Sequence, residues 1–189
     1  YGLPPEKLHF YWIVQHGEID AFQWFIHLMA DLEHEHLKQR TRGNAKDWNA
    51  RYIEINLYVT RAPKDKVTPD PMLWNNKTMN LNDDIRPQFS AEDLYLAMKN
   101  PTVSSKKQIE MQTNPVGAEN RVGDANTWVW NGRPDWNSIF KHLRDVAVDP
   151  AIGCCFCGAP VIGADLKKNC DKYTSTGGGV VFSLHKENF

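Results

Sequence analysis

Runs of β-forming residues alternate with helical patterns along this 189-residue chain, and that alternation predicts its fold class. The predicted strands cover residues 8–14, 52–60, 127–130, 152–157 and 180–184. Strands and helices in this order predict an α/β fold with a doubly wound, mostly parallel sheet, and right-handed crossovers place helices on both faces. The composition, 41% hydrophobic and 24% charged, is that of a globular domain and excludes disorder of the whole chain.

Local signals predict where two of the helices begin. Asp20 followed by Gln23 resembles a capping box, so a helix is predicted over 20–37, with a polar loop at 38–50. Pro134 is predicted at the first position of a later helix, because its fixed φ suits that position and its missing N–H has no helical partner there.

Residues 61–126 differ in character from the rest of the chain, because prolines interrupt a polar segment. Ser90 and Asp93 form a predicted capping box at the start of one helix, which the Asn100-Pro101 pair ends. We expect the rest of the segment to be an irregular insertion within a domain that spans 1–189. A regulatory or partner-docking role is a further hypothesis for it.

Charge and cysteine content exclude several classes of function. The 22 basic and 23 acidic residues give a net charge of −1, and no basic stripe marks a nucleic-acid surface. The uncharged stretch 151–164 is too short to span a bilayer and is predicted to be core. It holds Cys154, Cys155 and Cys157, expected as reduced thiols, and their spacing is not that of a zinc site, so no metal is expected.

Small or polar residues mark the carboxyl ends of three of the predicted strands, at 15–17, 60–61 and 157–158. In doubly wound sheets a ligand lies beyond the carboxyl ends of the strands. These three strand ends are therefore predicted to converge on a single ligand site. The alternative is ordinary turn chemistry, which requires glycine in any case.

Five segments, taken in order, resemble the C-terminal part of the NADPH-binding lobe of the NADPH oxidase and ferric reductase family. They are HFYWIV (9–14), AFQWF (21–25), GRPDW (132–136), FCGAP (156–160) and HKENF (185–189). Each is weak alone, whereas their order and the final Glu-Asn-Phe are specific. The resemblance covers roughly 8–60 and 127–189 and leaves 61–126 largely unmatched.

The resemblance implies a ferredoxin-reductase-like lobe that takes NADPH and passes hydride to FAD held by a preceding lobe. Electrons then cross the membrane through haem to oxygen, giving superoxide or hydrogen peroxide. It further implies a first strand and a Gly-rich loop upstream of Tyr1, a FAD lobe and membrane helices as partners in the same protein, and a place on the cytosolic face of a membrane. Because the chain begins with Tyr1 and has no signal peptide, we expect a fragment that is inactive alone and does not itself contact the membrane.

Residues near the adenosine half of NADPH follow from the same resemblance. Arg133 matches the Gly-Arg-Pro arginine, and its planar guanidinium suits a phosphate. At position 15 many resembling proteins carry an arginine that contacts the NADP 2′-phosphate, whereas this chain has Gln15 and then His16. Arg61 could supply the missing charge, and Thr60 could bind the adenosine half. The alternatives are a solvated arginine and an ordinary strand threonine.

Residues near the nicotinamide are implied at the other end of the cofactor. Cys157 and Gly158 match a Cys-Gly pair beside the ring, where a small thiol and a bare backbone allow close approach. Phe189 matches a terminal aromatic that stacks on the flavin. A buried core cysteine and a frayed terminus are the respective alternatives.

Two other functions stay open from the sequence. One is a ferric-chelate reductase of the same family, since the terminal electron acceptor is not encoded in this segment. The other is a non-catalytic interaction domain on a decayed nucleotide-binding fold, an alternative that the glutamine at position 15 favours.

Overall fold

The computed structural model describes residues 7–42, 53–64, 66, 90–101, 127–147, 150–175, 177 and 179–187, and for 33–42 it describes the backbone alone. The chain forms two compact units, Tyr1–Arg133 and Pro134–Phe189. The described elements are five parallel strands and four α-helices, so the predicted α/β class is confirmed. The strands form one sheet in each unit, of three and of two strands.

The first unit is built on a three-stranded parallel sheet in the order β1-β2-β3. A 3₁₀ helix follows β1 directly, and β2 is the central strand. The bounds are β1 Leu8–Gln15, the 3₁₀ helix His16–Phe22, α1 Gln23–Arg42, β2 Ile53–Thr60, α2 Ala91–Lys99 and β3 Thr127–Asn131.

One face of this sheet is apolar because alternate residues of β2 are aliphatic. Ile55, Leu57 and Val59 are each at most 1% exposed. They pack against α1, α2 and the 3₁₀ helix in a single core cluster. Each fully buried aliphatic side chain contributes roughly 1.5–3 kcal/mol of transfer free energy. The helix α2, from the segment predicted as an insertion, is therefore part of this core.

The opposite face of the sheet is polar and aromatic. Asn56 is fully buried between its neighbours: its Nδ2 donates to Glu54 Oε1 at 3.2 Å, and its Oδ1 accepts the indole N–H of Trp130 at 3.1 Å. The Trp130 ring stacks on Trp128 with centroids 5.5 Å apart. This layer joins β2 to β3 through side chains as well as through the backbone ladder.

The second unit pairs β4 (Ala151–Phe156) with β5 (Val181–Lys186) and packs α3 (Trp136–Val146) and α4 (Pro160–Tyr173) against them. Pro160 lies in the first turn of α4, where its missing N–H has no helical partner. The core is a cluster of Phe140, Leu166 and Phe182 with their neighbours.

The predicted start of the first helix is wrong. A 3₁₀ helix occupies 16–22 and α1 begins at Gln23, so Asp20 is not an N-cap. Its carboxylate instead accepts the Tyr95 hydroxyl at 2.8 Å and pairs with Lys99 Nζ at 2.7 Å. The helix also runs on to Arg42, through the first residues of the predicted loop 38–50, whose remaining residues lie outside the described ones.

Two predictions for the second unit also need correction. Pro134 does not begin α3, because Asp135 is the N-cap and its side chain accepts the Ser138 N–H at 3.2 Å. The stretch 151–164 is not uniformly core, because β4 alternates between exposed and partly buried residues. Only one of its faces meets the helices, so Cys155 is exposed.

The described helices include none with the length and apolar character needed to cross a membrane.

Candidate functional site

The carboxyl ends of β1, β2 and β3 form one rim of the three-stranded sheet. The parallel register sets Gln15 opposite Thr60, and Val59 opposite Asn131. The chain leaves β3 at Gly132, whose N–H donates to the Val59 carbonyl at 2.8 Å. The predicted convergence of the ends at 15–17 and 60–61 is therefore seen in this unit. We name this set of strand ends the first rim.

Gln15 and Arg61 are directly bonded at the first rim. Arg61 Nη1 donates to Gln15 Oε1 at 2.7 Å, and Arg61 is exposed. Of the described non-glycine residues, Arg61 alone has a positive φ, 57°. That left-handed conformation costs a side-chain-bearing residue about 1–2 kcal/mol. Arg61 therefore has an unfavourable backbone conformation, and its side chain bonds to Gln15 at the end of β1.

Thr60 is partly committed to the sheet. Its hydroxyl donates to the Val14 carbonyl at 3.2 Å, which uses its proton and leaves the oxygen as an acceptor. Thr60 therefore links the ends of β1 and β2, and its side chain is half-buried.

His16 is held by the helix α2. Its Nε2 lies 3.0 Å from the Lys99 carbonyl oxygen. A carbonyl can only accept, so Nε2 carries the hydrogen and the ring orientation follows from this bond. Sequence reasoning missed the bond, because 83 residues separate its partners and no local pattern signals it.

Arg133 follows β3 and is exposed, as a phosphate ligand would need to be. Gly132 before it has φ 102°, which favours glycine, so the Gly-Arg-Pro motif begins with a turn that only glycine adopts without strain. Arg133 thus leaves the sheet at the same edge as Arg61.

Cys157 and Gly158 directly follow β4 in the second unit, and both are exposed. Gly158 has φ 151°, and a Cβ built there would lie 3.4 Å from the Phe156 ring. The same ring lies 2.9 Å from a Cβ built at Gly163 in α4. The turn is therefore closely packed around Phe156, with an open thiol beside it.

Cys154 and Cys170 of this unit are less exposed than Cys157. Burial, together with the neighbouring Cys170 and Cys155, raises the pKa of Cys154 to about 12. Burial also raises the pKa of Cys170, with Asp171 adding to the effect. Thiols with raised pKa values are poor nucleophiles, so the core assignment of Cys154 agrees with its surroundings.

Phe189 lies outside the described residues. Among the residues that the structure does describe, no group of three or more His, Cys, Asp or Glu side chains could hold a metal ion.

A parallel α/β unit with hydrogen-bonding side chains at the carboxyl ends of its strands has the layout of nucleotide-binding α/β domains. The chain is a member of the ferric reductase NAD binding domain family, whose model matches residues 3–171. This range runs through 61–126, and the idea that those residues are an insertion stays a prediction.

Individual relatives agree with this family. Human NADPH oxidase 3 is 23% identical over 97% of this chain and 23% of that protein. Human NADPH oxidase 5 is 24% identical over 97% of this chain and 17% of that protein. Respiratory burst oxidase homolog protein F of Arabidopsis thaliana is 35% identical over 57 residues, 30% of this chain and 6% of that protein. The chain spans less than a quarter of the length of these relatives.

Proposed function

We propose that this chain is the C-terminal part of the NADPH-binding dehydrogenase domain of a flavin- and haem-dependent transmembrane NADPH oxidase. Family membership over 3–171, together with relatives named NADPH oxidase, is the observation that carries the proposal. In this reaction NADPH supplies a hydride to FAD, and the electrons pass on to oxygen, giving superoxide or hydrogen peroxide.

The side chains of the first rim fit the adenosine half of NADPH. Arg61 and Arg133 offer guanidinium N–H donors to phosphate oxygens, and both are exposed. Gln15, His16 and Thr60 carry polar groups that suit ribose hydroxyls and the adenine edge. These five residues bind and orient the nucleotide; none of them transfers a proton or an electron.

Cys157 and Gly158 are assigned to the nicotinamide. Their exposure at the end of β4 and the missing side chain at Gly158 allow close approach of a flat ring. Phe189 is assigned to the flavin face as a stacking ring. Both assignments rest on the family motif, and the exposure of Cys157 and Gly158 supports the first of them.

The rest of the protein is proposed from the family as well. A Gly-rich first strand would complete a doubly wound sheet, and FAD, haem and membrane helices would come from other parts of the protein. The lobe would then lie on the cytosolic face of a membrane. A regulatory partner for 61–126 stays a proposal from the sequence, and α2 within this segment packs into the core beside His16.

Flavin reduction in the full-length protein tests the nucleotide site. We expect Arg133→Ala to raise the KM for NADPH by about 10-fold, the loss of one charged hydrogen bond. Arg144→Ala is the matched control, because Arg144 is an exposed arginine of α3 paired with Asp145. Deletion of Phe189 should change the rate of hydride transfer. A protein whose flavin is reduced by neither NADPH nor NADH would contradict the proposal.

Thiol labelling gives an independent test of Cys157. NADPH should protect Cys157 from iodoacetamide in the full-length protein, whereas Cys155, also exposed and on β4, should stay reactive. Equal labelling of Cys157 with and without saturating NADPH would remove this residue from the nicotinamide site.

Ferric-chelate reduction is the second candidate, because the matching family model is that of a ferric reductase. The two activities differ in acceptor, so superoxide release and ferrous iron formation by the same preparation distinguish them. A non-catalytic interaction domain would show neither.

A further inference from the structure

Arg61 combines an unusual backbone with an open charge. Its φ of 57° is one that glycine adopts without strain, yet a long cationic side chain stands there. A strained non-glycine residue at a candidate site motivates a functional hypothesis for it. The guanidinium of Arg61 is therefore a candidate ligand-binding group.

The partner of Arg61 orients it without neutralising it. Gln15 Oε1 accepts one N–H of the guanidinium at 2.7 Å, and an amide carries no charge. None of the described carboxylates forms an ion pair with Arg61, and the residue is exposed. The end of β2 therefore presents a full positive charge with a fixed direction.

A second guanidinium leaves the sheet at the end of the adjacent strand. Arg133 follows Gly132, which is bonded to Val59, two residues before Arg61. Two arginines at neighbouring strand ends attract a dianion more strongly than either does alone. A phosphate monoester is the dianionic group that a guanidinium binds through two parallel N–H donors.

We propose that the Gln15–Arg61 pair selects the phosphorylated dinucleotide: Arg61 binds the 2′-phosphate of NADPH, and Gln15 holds the guanidinium in place. This inference rests on the proposed function. The charge then comes from β2, one strand away from position 15, and a glutamine at that position is compatible with a preference for NADPH over NADH. Arg61 is a binding residue and Gln15 a positioning residue.

The test is the ratio of kcat/KM for NADPH to that for NADH in the full-length protein. Arg61→Gly removes the charge and should lower this ratio by about 10- to 100-fold, the range expected for a hydrogen bond to a charged group. The same change relieves the left-handed backbone, so the melting temperature should stay the same or rise. If Arg61 had only a structural role, its replacement would not lower the kcat/KM ratio while the melting temperature stayed the same or rose.

Gln15→Glu tests the positioning role. The new carboxylate would pair with Arg61 and neutralise it, so the bond between the two residues becomes stronger while the NADPH to NADH ratio falls. Arg61→Lys keeps the charge but loses the planar fork, and should give an intermediate ratio. Lys64→Ala is the control: it removes the same unit charge three residues away, at another exposed position, and should leave the ratio unchanged.

The outcomes separate this inference from the function it rests on. If Arg61→Gly leaves the ratio unchanged, the inference is overturned while the oxidase function stands. The same holds if the variant is less stable and its kcat/KM falls equally for NADPH and NADH. Inhibition by 2′,5′-ADP gives a second readout: it should weaken in Arg61→Gly, whereas inhibition by 5′-AMP should not. If the unmodified protein uses neither nucleotide, the proposed function itself fails.

Discussion

Asn56 accepts the indole N–H of Trp130 at 3.1 Å, inside the sheet of the first unit. Both residues are fully buried, and the bond crosses from β2 to the neighbouring strand β3. A buried donor that loses its acceptor costs about 1–3 kcal/mol, so this pair holds the two strands together on their polar face.

Asn56→Leu keeps the number and branching of side-chain heavy atoms and removes that acceptor, so we expect the free energy of unfolding to fall by about 2 kcal/mol. Trp130→Phe removes the donor instead. Thermal unfolding of both single variants and of the double variant gives the coupling energy. If the two losses simply add, the bond contributes nothing beyond packing.

Glu54 makes the same face sensitive to acid. Burial alone raises the pKa of Glu54, but His9, Lys7 and the Asn56 amide outweigh it and lower the pKa to about 2, from 4.5. A lowered carboxyl pKa stabilises the fold fully above pH 4.5, and this stabilisation is lost as the pH falls toward 2. Its size is about 3 kcal/mol.

The Glu54→Gln variant should therefore have a lower free energy of unfolding than the unmodified protein at pH 7. This difference should shrink between pH 4.5 and pH 2. Urea titrations at several pH values measure this. Asp145→Asn is the control, because Asp145 is an exposed partner of Arg144 and should show a much smaller effect. A deficit that is constant with pH would exclude an ionised Glu54 as the cause.

Ser90 begins α2 through a reciprocal capping box: its Oγ accepts the Asp93 N–H at 3.1 Å, and the Asp93 carboxylate accepts the Ser90 N–H at 3.3 Å. Ser90→Ala should lower stability by about 1 kcal/mol. Ser90→Thr retains the hydroxyl acceptor and should therefore keep most of the stability that Ser90→Ala loses. Faster amide hydrogen exchange in the first turn of α2 would accompany the loss, and unchanged exchange would contradict it.

Gly163 is predicted to be intolerant of a methyl group. A Cβ there would lie 2.9 Å from the Phe156 ring, and overpacking costs about 1–3 kcal/mol. The gain of about 1 kcal/mol in helix propensity offsets this only in part. The melting temperature of Gly163→Ala should therefore be lower than that of Gly17→Ala, because nothing lies within 4 Å of a Cβ added at Gly17. Equal melting temperatures would mean that the ring moves freely.

Much of the fold could be predicted because its signals are local. The β-forming runs mark β1 and β2 to within one residue, and the Ser90 capping box with the Asn100-Pro101 stop marks α2. Where two local signals compete, the sequence alone does not decide. Pro134 and Asp135 both suit a helix start, and the structure uses Asp135 because its carboxylate reaches the Ser138 N–H.

What could not be predicted depends on partners distant in the chain. Asp20 has the right spacing for a cap, but Tyr95 and Lys99 occupy its carboxylate. At the candidate site, the parallel strands place Gln15 near Thr60, as expected, whereas the φ of Arg61 and its bond to Gln15 are visible only in the structure.

The all-parallel pairing has a consequence for how the chain reaches this structure. Leu8 pairs with Ile53 and Ile55 with Thr127, so both ladders of the first unit close long stretches of chain, whereas Ala151 and Val181 are only 30 residues apart. Because the entropy of loop closure must be overcome before such contacts stabilise anything, non-local sheets fold slowly. The C-terminal unit should therefore acquire its ladder first, and the pairing of β3 with β2, which closes the longest stretch of chain, should form last.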